Sequence, residues 1–182
     1  MALAFCLTIA CLSMSPIDTV PGASPGPTIT RSQIGLTLPP PDLRELAPMQ
    51  RKLNSQAEFD LYLAPTGRIP NILREIGRLR ESTFREVGEG TNKSVDLDEF
   101  DLYYDHLFLW DRVKRRLVGA YRIGDGKRIM SRYGKRGFYT YTLFRMDRPM
   151  DRVLRKSFEL GRSFIAVEYQ RQRLPLYMLW RG

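Results

Sequence analysis

An α/β domain is predicted from about residue 51 to the last residue, on three observations. Short apolar runs of strand length alternate with segments whose apolar residues recur at helical spacing. Gly and Pro fall between these segments and punctuate them. Hydrophobic residues make up 43% of the chain, enough for a packed core and too many for a disordered one. In chain order, Phe59 to Ala64 alternates as a strand and Pro65-Thr66-Gly67 ends it. Pro70 opens a helix whose face carries Ile72, Ile76, Leu79, Thr83 and Val87, and Gly88 and Gly90 close it. The runs His106–Trp110 and Leu117–Ile123, split by a basic turn, read as a hairpin. After a basic loop, Phe138 to Phe144 is a further candidate strand and Pro149 to Phe158 a short helix. Glu159 to Val167 then reads as a buried strand, and Leu174 starts a last helix. The resulting order, β-α-β-β-(β)-α-β-α, is that of a sheet flanked by helices.

Residues 1–50 are set apart as a tail. The first 14 residues are apolar but too short for a membrane span, and lack the positive start of a secretory signal. Eight of the twelve prolines fall between Pro16 and Pro48, a composition that favours extended chain. Both cysteines, Cys6 and Cys11, lie in this tail, so the domain has no thiol for a disulfide or a Cys-based metal site, and one histidine, His106, excludes a His-rich zinc site. No metal and a reducing, cytoplasmic compartment are therefore expected. The net charge of +9 concentrates between Arg112 and Arg136, where ten Lys or Arg residues stand against Asp125 alone. Such a field suits an acidic protein or an anionic membrane surface, or is simply solvated. Nucleic acid fits less well, because apart from Tyr121 and Tyr133 no aromatic is interleaved for base stacking.

Four groups of residues are candidates for chemistry. Arg78, Arg80 and Phe84 share the first helix, and Asp98 and Asp101 follow at a spacing that lets both carboxylates point one way. Glu159 and Arg162 head the buried strand, where residues three apart face opposite ways unless a bulge intervenes. Gly161 makes a bulge there plausible, and a bulge would free backbone N–H groups to hold a thioester oxygen. Gln170, Arg171 and Arg173 occupy the turn into the last helix, a position suited to phosphate, although no glycine lets that turn close as a P-loop does. The pair His106 and Asp111 has the H-x-x-x-x-D spacing of glycerolipid acyltransferases, but an odd separation within a strand sends the two side chains to opposite faces. A structural histidine is the expectation.

Four stretches in this order carry a resemblance: Glu75-Ile-Gly-Arg-Leu-Arg-Glu-Ser-Thr-Phe with its continuation to Thr91, Asp96-Leu-Asp-Glu-Phe-Asp101, Gly119-Ala-Tyr-Arg-Ile123 and Glu159-Leu-Gly-Arg-Ser163. Together they resemble the GNAT-fold N-acyltransferases of the ornithine-lipid and hemolysin-like group, and more distantly the acyl-homoserine-lactone synthases. The resemblance covers roughly residues 59–182 and implies a mixed central sheet flanked by helices, with further strands expected beyond Gly182. It implies that Arg80, Phe84, Asp98, Asp101 and Arg122 bind substrate, that Glu159 is the general base with Arg162 as its companion, and that Gln170, Arg171 and Arg173 meet the donor's phosphate. The turn at Gln170 lacks the paired glycines that cradle the coenzyme A pyrophosphate. That departure points to an acyl-phosphopantetheine thioester on an acyl carrier protein as donor rather than acyl-coenzyme A, with no permanently bound cofactor. The partners implied are that carrier, an ornithine-like amine, the inner membrane surface and a fused glycerolipid acyltransferase domain. An acetyl-coenzyme-A-dependent acetyltransferase and a non-enzymatic basic membrane-surface protein are the competing readings.

Overall fold

The computed structural model describes residues 52–182; the proline-rich tail and its apolar start lie outside the described residues. Five strands form one sheet in chain order: β1 (Lys52–Gln56), β2 (Phe59–Pro65), β3 (Asp105–Asp111), β4 (Arg116–Asp125) and β5 (Phe158–Ile165). All four pairings are antiparallel, so no parallel pair of a mixed sheet occurs among the described residues. Helix α1 (Pro70–Glu86) covers one face and α4 (Arg173–Arg181) the other, while α2 (Gly126–Arg132) and α3 (Met150–Leu154) close one end.

The period-2 side-chain alternation of the strands builds both cores. On the α1 side, Tyr62, Phe108, Trp110, Ala120 and Phe164 pack with Ile72, Ile76 and Phe84. On the α4 side, Phe59, Leu61, Leu107, Leu109 and Val118 pack with Met178 and Leu179. A smaller cluster of Phe100, Tyr104, Ile129, Met130, Phe138 and Leu154 fills the end closed by α2 and α3.

Most predicted elements occur within a residue or two of their expected bounds, but the short helix expected to run to Phe158 stops at Leu154, and Phe158 begins β5. Three further departures have identifiable causes. Strand β1 precedes the expected start of order; it turns into β2 at Ala57, whose φ of 51° is the left-handed geometry that tight hairpin turns require. Helix α2 sits in the expected basic loop, started by the Asp125 carboxylate accepting the Arg128 N–H at 3.1 Å. Gly126 opens it because a Cβ there would stand 1.8 Å from the Leu154 carbonyl oxygen. Residues 138–144 form no strand: Tyr139–Thr142 is a 3₁₀ turn. Its first two amides are bound by a carboxylate from β5, as described below, so they are unavailable to a sheet ladder.

Candidate active site

The polar centre of the molecule begins on α1. Its apolar spacing hides that the buried face also includes Arg80 and Glu81, whereas Val87 lies past the helix end and is exposed. Arg80 is 1% exposed. Its Nε donates to Asp96 Oδ2 at 2.9 Å, and its terminal nitrogens donate to Asp101 at 2.7 and 3.1 Å and to the Asp96 carbonyl. Both acids come from the segment between α1 and β3, which folds back because Asp96 N–H bonds the Gly77 carbonyl. Gly77 is needed at that crossing, since a Cβ would meet Val95 at 2.5 Å. A turn over Asp98–Asp101, with Asp98 Oδ1 accepting from Phe100 and Asp101 N–H, aims both carboxylates the same way.

Strand β4 contributes Arg122, also 1% exposed, whose Nη1 reaches Asp98 at 2.6 Å and Asp101 at 3.4 Å. Strand β5 contributes Arg162. The register on β4 runs from Ala120 opposite Phe164 to Arg122 opposite Gly161, so Arg162 and Ser163 together face Tyr121. This is the expected bulge, but its left-handed residue is Arg162, at φ 53°, not Gly161. The bulge lets Arg162 join the same cluster, 3.5 Å from Asp96 and 3.9 Å from Asp98. The six side chains thus close a ring of alternating charge: Arg80, Asp96, Arg162, Asp98, Arg122, Asp101 and back to Arg80. Three cations balance three anions, which is what permits so many ionised groups in the interior. Burial alone would push the Asp101 carboxyl up, but Arg80 and then Arg122 hold it well below the usual carboxylate range. The Arg122 guanidinium also lies over the rings of Tyr139, Phe100 and Tyr104, within 5.1 to 5.4 Å.

Glu159 stands beside this ring, opposite Gly124 on β4. Its Oε1 accepts the Thr140 N–H at 2.8 Å, and its Oε2 accepts the Tyr139 N–H at 3.0 Å and the Tyr104 hydroxyl. Burial, then the Glu159 charge, push the Tyr104 phenol far up, so it stays protonated and donates. Glu159 therefore pins the 139–142 turn over the ring, and one side of Oε1 is left to take a further proton donor.

The structure does not unite every candidate. Phe84 lies one turn beyond Arg80 and belongs to the apolar core. Arg78 pairs with Glu75 at the surface. Gln170 turns back to the Ile165 carbonyl, and Arg171 and Arg173 are exposed at the head of α4. They follow β5 at the end opposite Glu159, where Arg116 pairs with Glu168. His106 is fully buried, with Nε2 3.1 Å from both the Asp101 carbonyl and the Thr66 hydroxyl; burial lowers its pKa and keeps it neutral. Asp111, at the far end of β3, anchors the β3–β4 turn and accepts from Tyr169, so the H-x-x-x-x-D reading has no geometric basis. Sequence reasoning missed Asp96, Tyr104 and Tyr139. Only Asp96 left a signal, as the first member of the acidic run.

Comparison with known proteins gives the context of this arrangement. The GNAT acetyltransferase domain family matches residues 79–181, from the helix bearing Arg80 to the last turn of α4. The chain belongs to that family. This GNAT domain is also similar to two proteins named glycine N(alpha)-acyltransferase. One, from Phocaeicola vulgatus, is 33% identical over 142 residues, covering 72% of this chain and 44% of the relative. The other, from Bacteroides thetaiotaomicron, is 36% identical over 144 residues, covering 72% of this chain and 42% of the relative. The GNAT chain thus spans less than half the length of the curated relatives it matches. No solved structure matches it. Among the described residues, no helix is long and apolar enough to cross a membrane.

Proposed function

We propose that this chain carries the thioester-and-acceptor centre of an N-acyltransferase, which moves a fatty acyl group from an acyl carrier protein to the amino group of an amino acid. The observation that carries the reading is the β5 bulge at Arg162–Ser163, which brings Arg162 into the charged ring on the same strand as Glu159. A bulge leaves backbone N–H groups outside the ladder, positioned to hold the oxygen of a thioester carbonyl as it becomes an oxyanion. The amine attacks the carbonyl carbon, the C–S bond breaks, and the proton lost by the amine passes through Glu159, directly or by water, to the departing thiolate. Arg171 and Arg173, exposed beyond the C-terminal end of the same strand, would meet the phosphate of the donor arm.

Two relatives carrying glycine in their names favour glycine as acceptor. The resemblance to the ornithine-lipid group favours an ornithine-like amine as the second choice. The turn at Gln170-Arg-Gln-Arg-Leu-Pro has no glycine, which favours a carrier protein over coenzyme A as donor, and a fatty product would place the enzyme at the inner membrane surface. The test is to give the full chain long-chain acyl carrier protein, long-chain acyl-coenzyme A and acetyl-coenzyme A, each with glycine, ornithine and other amines. N-acylglycine made from the carrier is the expected product. Turnover confined to acetyl-coenzyme A would overturn the reading.

A further inference from the structure

The ring of alternating charge is closed unevenly. Its four buried members are joined within hydrogen-bonding distance at all but one link, whereas Arg162 makes only the 3.5 Å approach to Asp96 and the 3.9 Å approach to Asp98. A guanidinium has five N–H donors in a fixed fork, and among the described residues Arg162 directs none of them into a hydrogen bond. Its Nε is buried without a partner, while the side chain as a whole stays 25% exposed. Asp98 is similarly half used. Its Oδ1 takes three donors, from Phe100 N–H, Asp101 N–H and Arg122, and its Oδ2 has only the distant Arg162. An unused cationic fork and an unused carboxylate oxygen therefore face each other at the solvent rim, across a gap too wide for a direct hydrogen bond.

The chemistry of that gap selects its occupant. The ring by itself is neutral and the Glu159 carboxylate adds a negative charge beside it, so a lone anion would stand uncompensated near the buried members. A ligand carrying both charges on adjacent carbons would complete the unused donors and acceptor without changing the balance. The Tyr139 ring lies 5.7 Å from the Arg162 guanidinium and 5.1 Å from that of Arg122, so both cations share one aromatic ring. Because Arg162 is itself the bulge residue, whatever it binds stands beside the strand position that would hold the thioester.

We propose that Arg162 and Asp98 form the acceptor subsite, with the α-carboxylate of an α-amino acid on the Arg162 fork and its α-amino group on Asp98 Oδ2. The subsite rests on the reading of the acceptor as an amino acid. Arg162 here is a binding residue for the acceptor carboxylate, and the residues behind it, Arg122 and Asp101, position Asp98.

Titration calorimetry on the full chain tests this with glycine, glycinamide, which lacks the carboxylate, and acetate, which lacks the amine. Glycine is expected to bind, and each analogue to bind at least about tenfold more weakly, the scale of one charge-assisted hydrogen-bonded pair. Arg162→Gln should abolish the preference for glycine over glycinamide, and Asp98→Asn the preference over acetate. Arg162→Lys, which keeps the charge but not the fork, should retain part of the first. Matched thermal melting shows that the variants are folded. Glycine binding unchanged in Arg162→Gln, or acetate binding as tightly as glycine, overturns the subsite. Failure of the wider reading looks different: glycine binds as described, yet no thioester of any class acylates it.

Discussion

At the scale of single residues, the buried charges are the feature that most constrains this protein. Arg80, Arg122 and Asp101 are each 1% exposed, and each is tolerable only because the others are present. Removing one partner of a buried pair leaves an unmatched charge, which costs far more than the pair contributes. Asp101→Asn is therefore expected to destabilise the fold by about 3–5 kcal/mol, read by urea denaturation. A loss below about 1 kcal/mol, the scale of exposed pairs, would show that the ring is solvated. These residues were visible in the sequence as candidates, and Asp98 and Asp101 do point one way as their spacing suggested. Their pairing was not visible, because Arg80, Asp101, Arg122 and Arg162 are separated by 20 or more residues, and only the packing of α1, the fold-back of the loop after it and the β4–β5 register bring them together.

At the scale of elements, the loop after α1 is held by one carboxylate. Glu81 accepts from the Thr91 hydroxyl at 2.6 Å, the Thr91 and Asn92 N–H groups at 2.9 Å, and Arg85. These bonds, the Thr91 hydroxyl foremost, lower its carboxyl to about 2. A carboxyl depressed in the folded state stabilises above its unfolded pKa, about 4.3 for Glu, and the contribution disappears as pH falls towards the folded value. Melting temperature should thus drop between about pH 4.5 and about pH 2. Glu81→Gln should flatten that part of the profile and lower stability at neutral pH; an unchanged acid limb would remove Glu81 as its source. Elements read from periodicity alone were placed well, as for α1 and the β3–β4 hairpin. Residues 138–144 were misread because Phe138, Tyr139, Tyr141 and Phe144 have strand propensity, while the decisive bonds come from Glu159, some twenty residues away.

At the scale of the whole molecule, the basic stretch from Arg112 to Arg136 is not one patch. Strand β4 carries the chain some 30 Å between its two halves, at roughly 3.3 Å per residue. The turn Arg112–Arg116 lies at the end shared with Arg171 and Arg173, and α2 with Lys127, Arg128 and Arg132 lies at the other, beside Glu159. Several of these charges are already paired, Arg116 with Glu168 and Arg128 with Asp105, and such exposed pairs contribute little stability. If the donor is the proposed acyl carrier protein and its arm enters past Arg171, reversing Arg115 and Arg171 to Glu should raise the KM for that carrier by about tenfold at low salt and weaken its salt dependence. Reversing Arg132 and Arg136 should change that KM little. The opposite ranking would place the carrier at the α2 end.

The sequence by itself determined most of the elements and the GNAT family, because apolar periodicity and short ordered motifs are local properties that a linear chain displays. It also located the β5 bulge, since a glycine and two charges at the head of a buried strand conflict with simple alternation. Only the tertiary structure decided that Arg162 rather than Gly161 takes the left-handed turn, that Asp96 and Tyr139 belong to the site, and that the basic stretch is divided. Each of these depends on which residues face one another across the sheet. That information resides in register and packing, and no spacing along the chain records it.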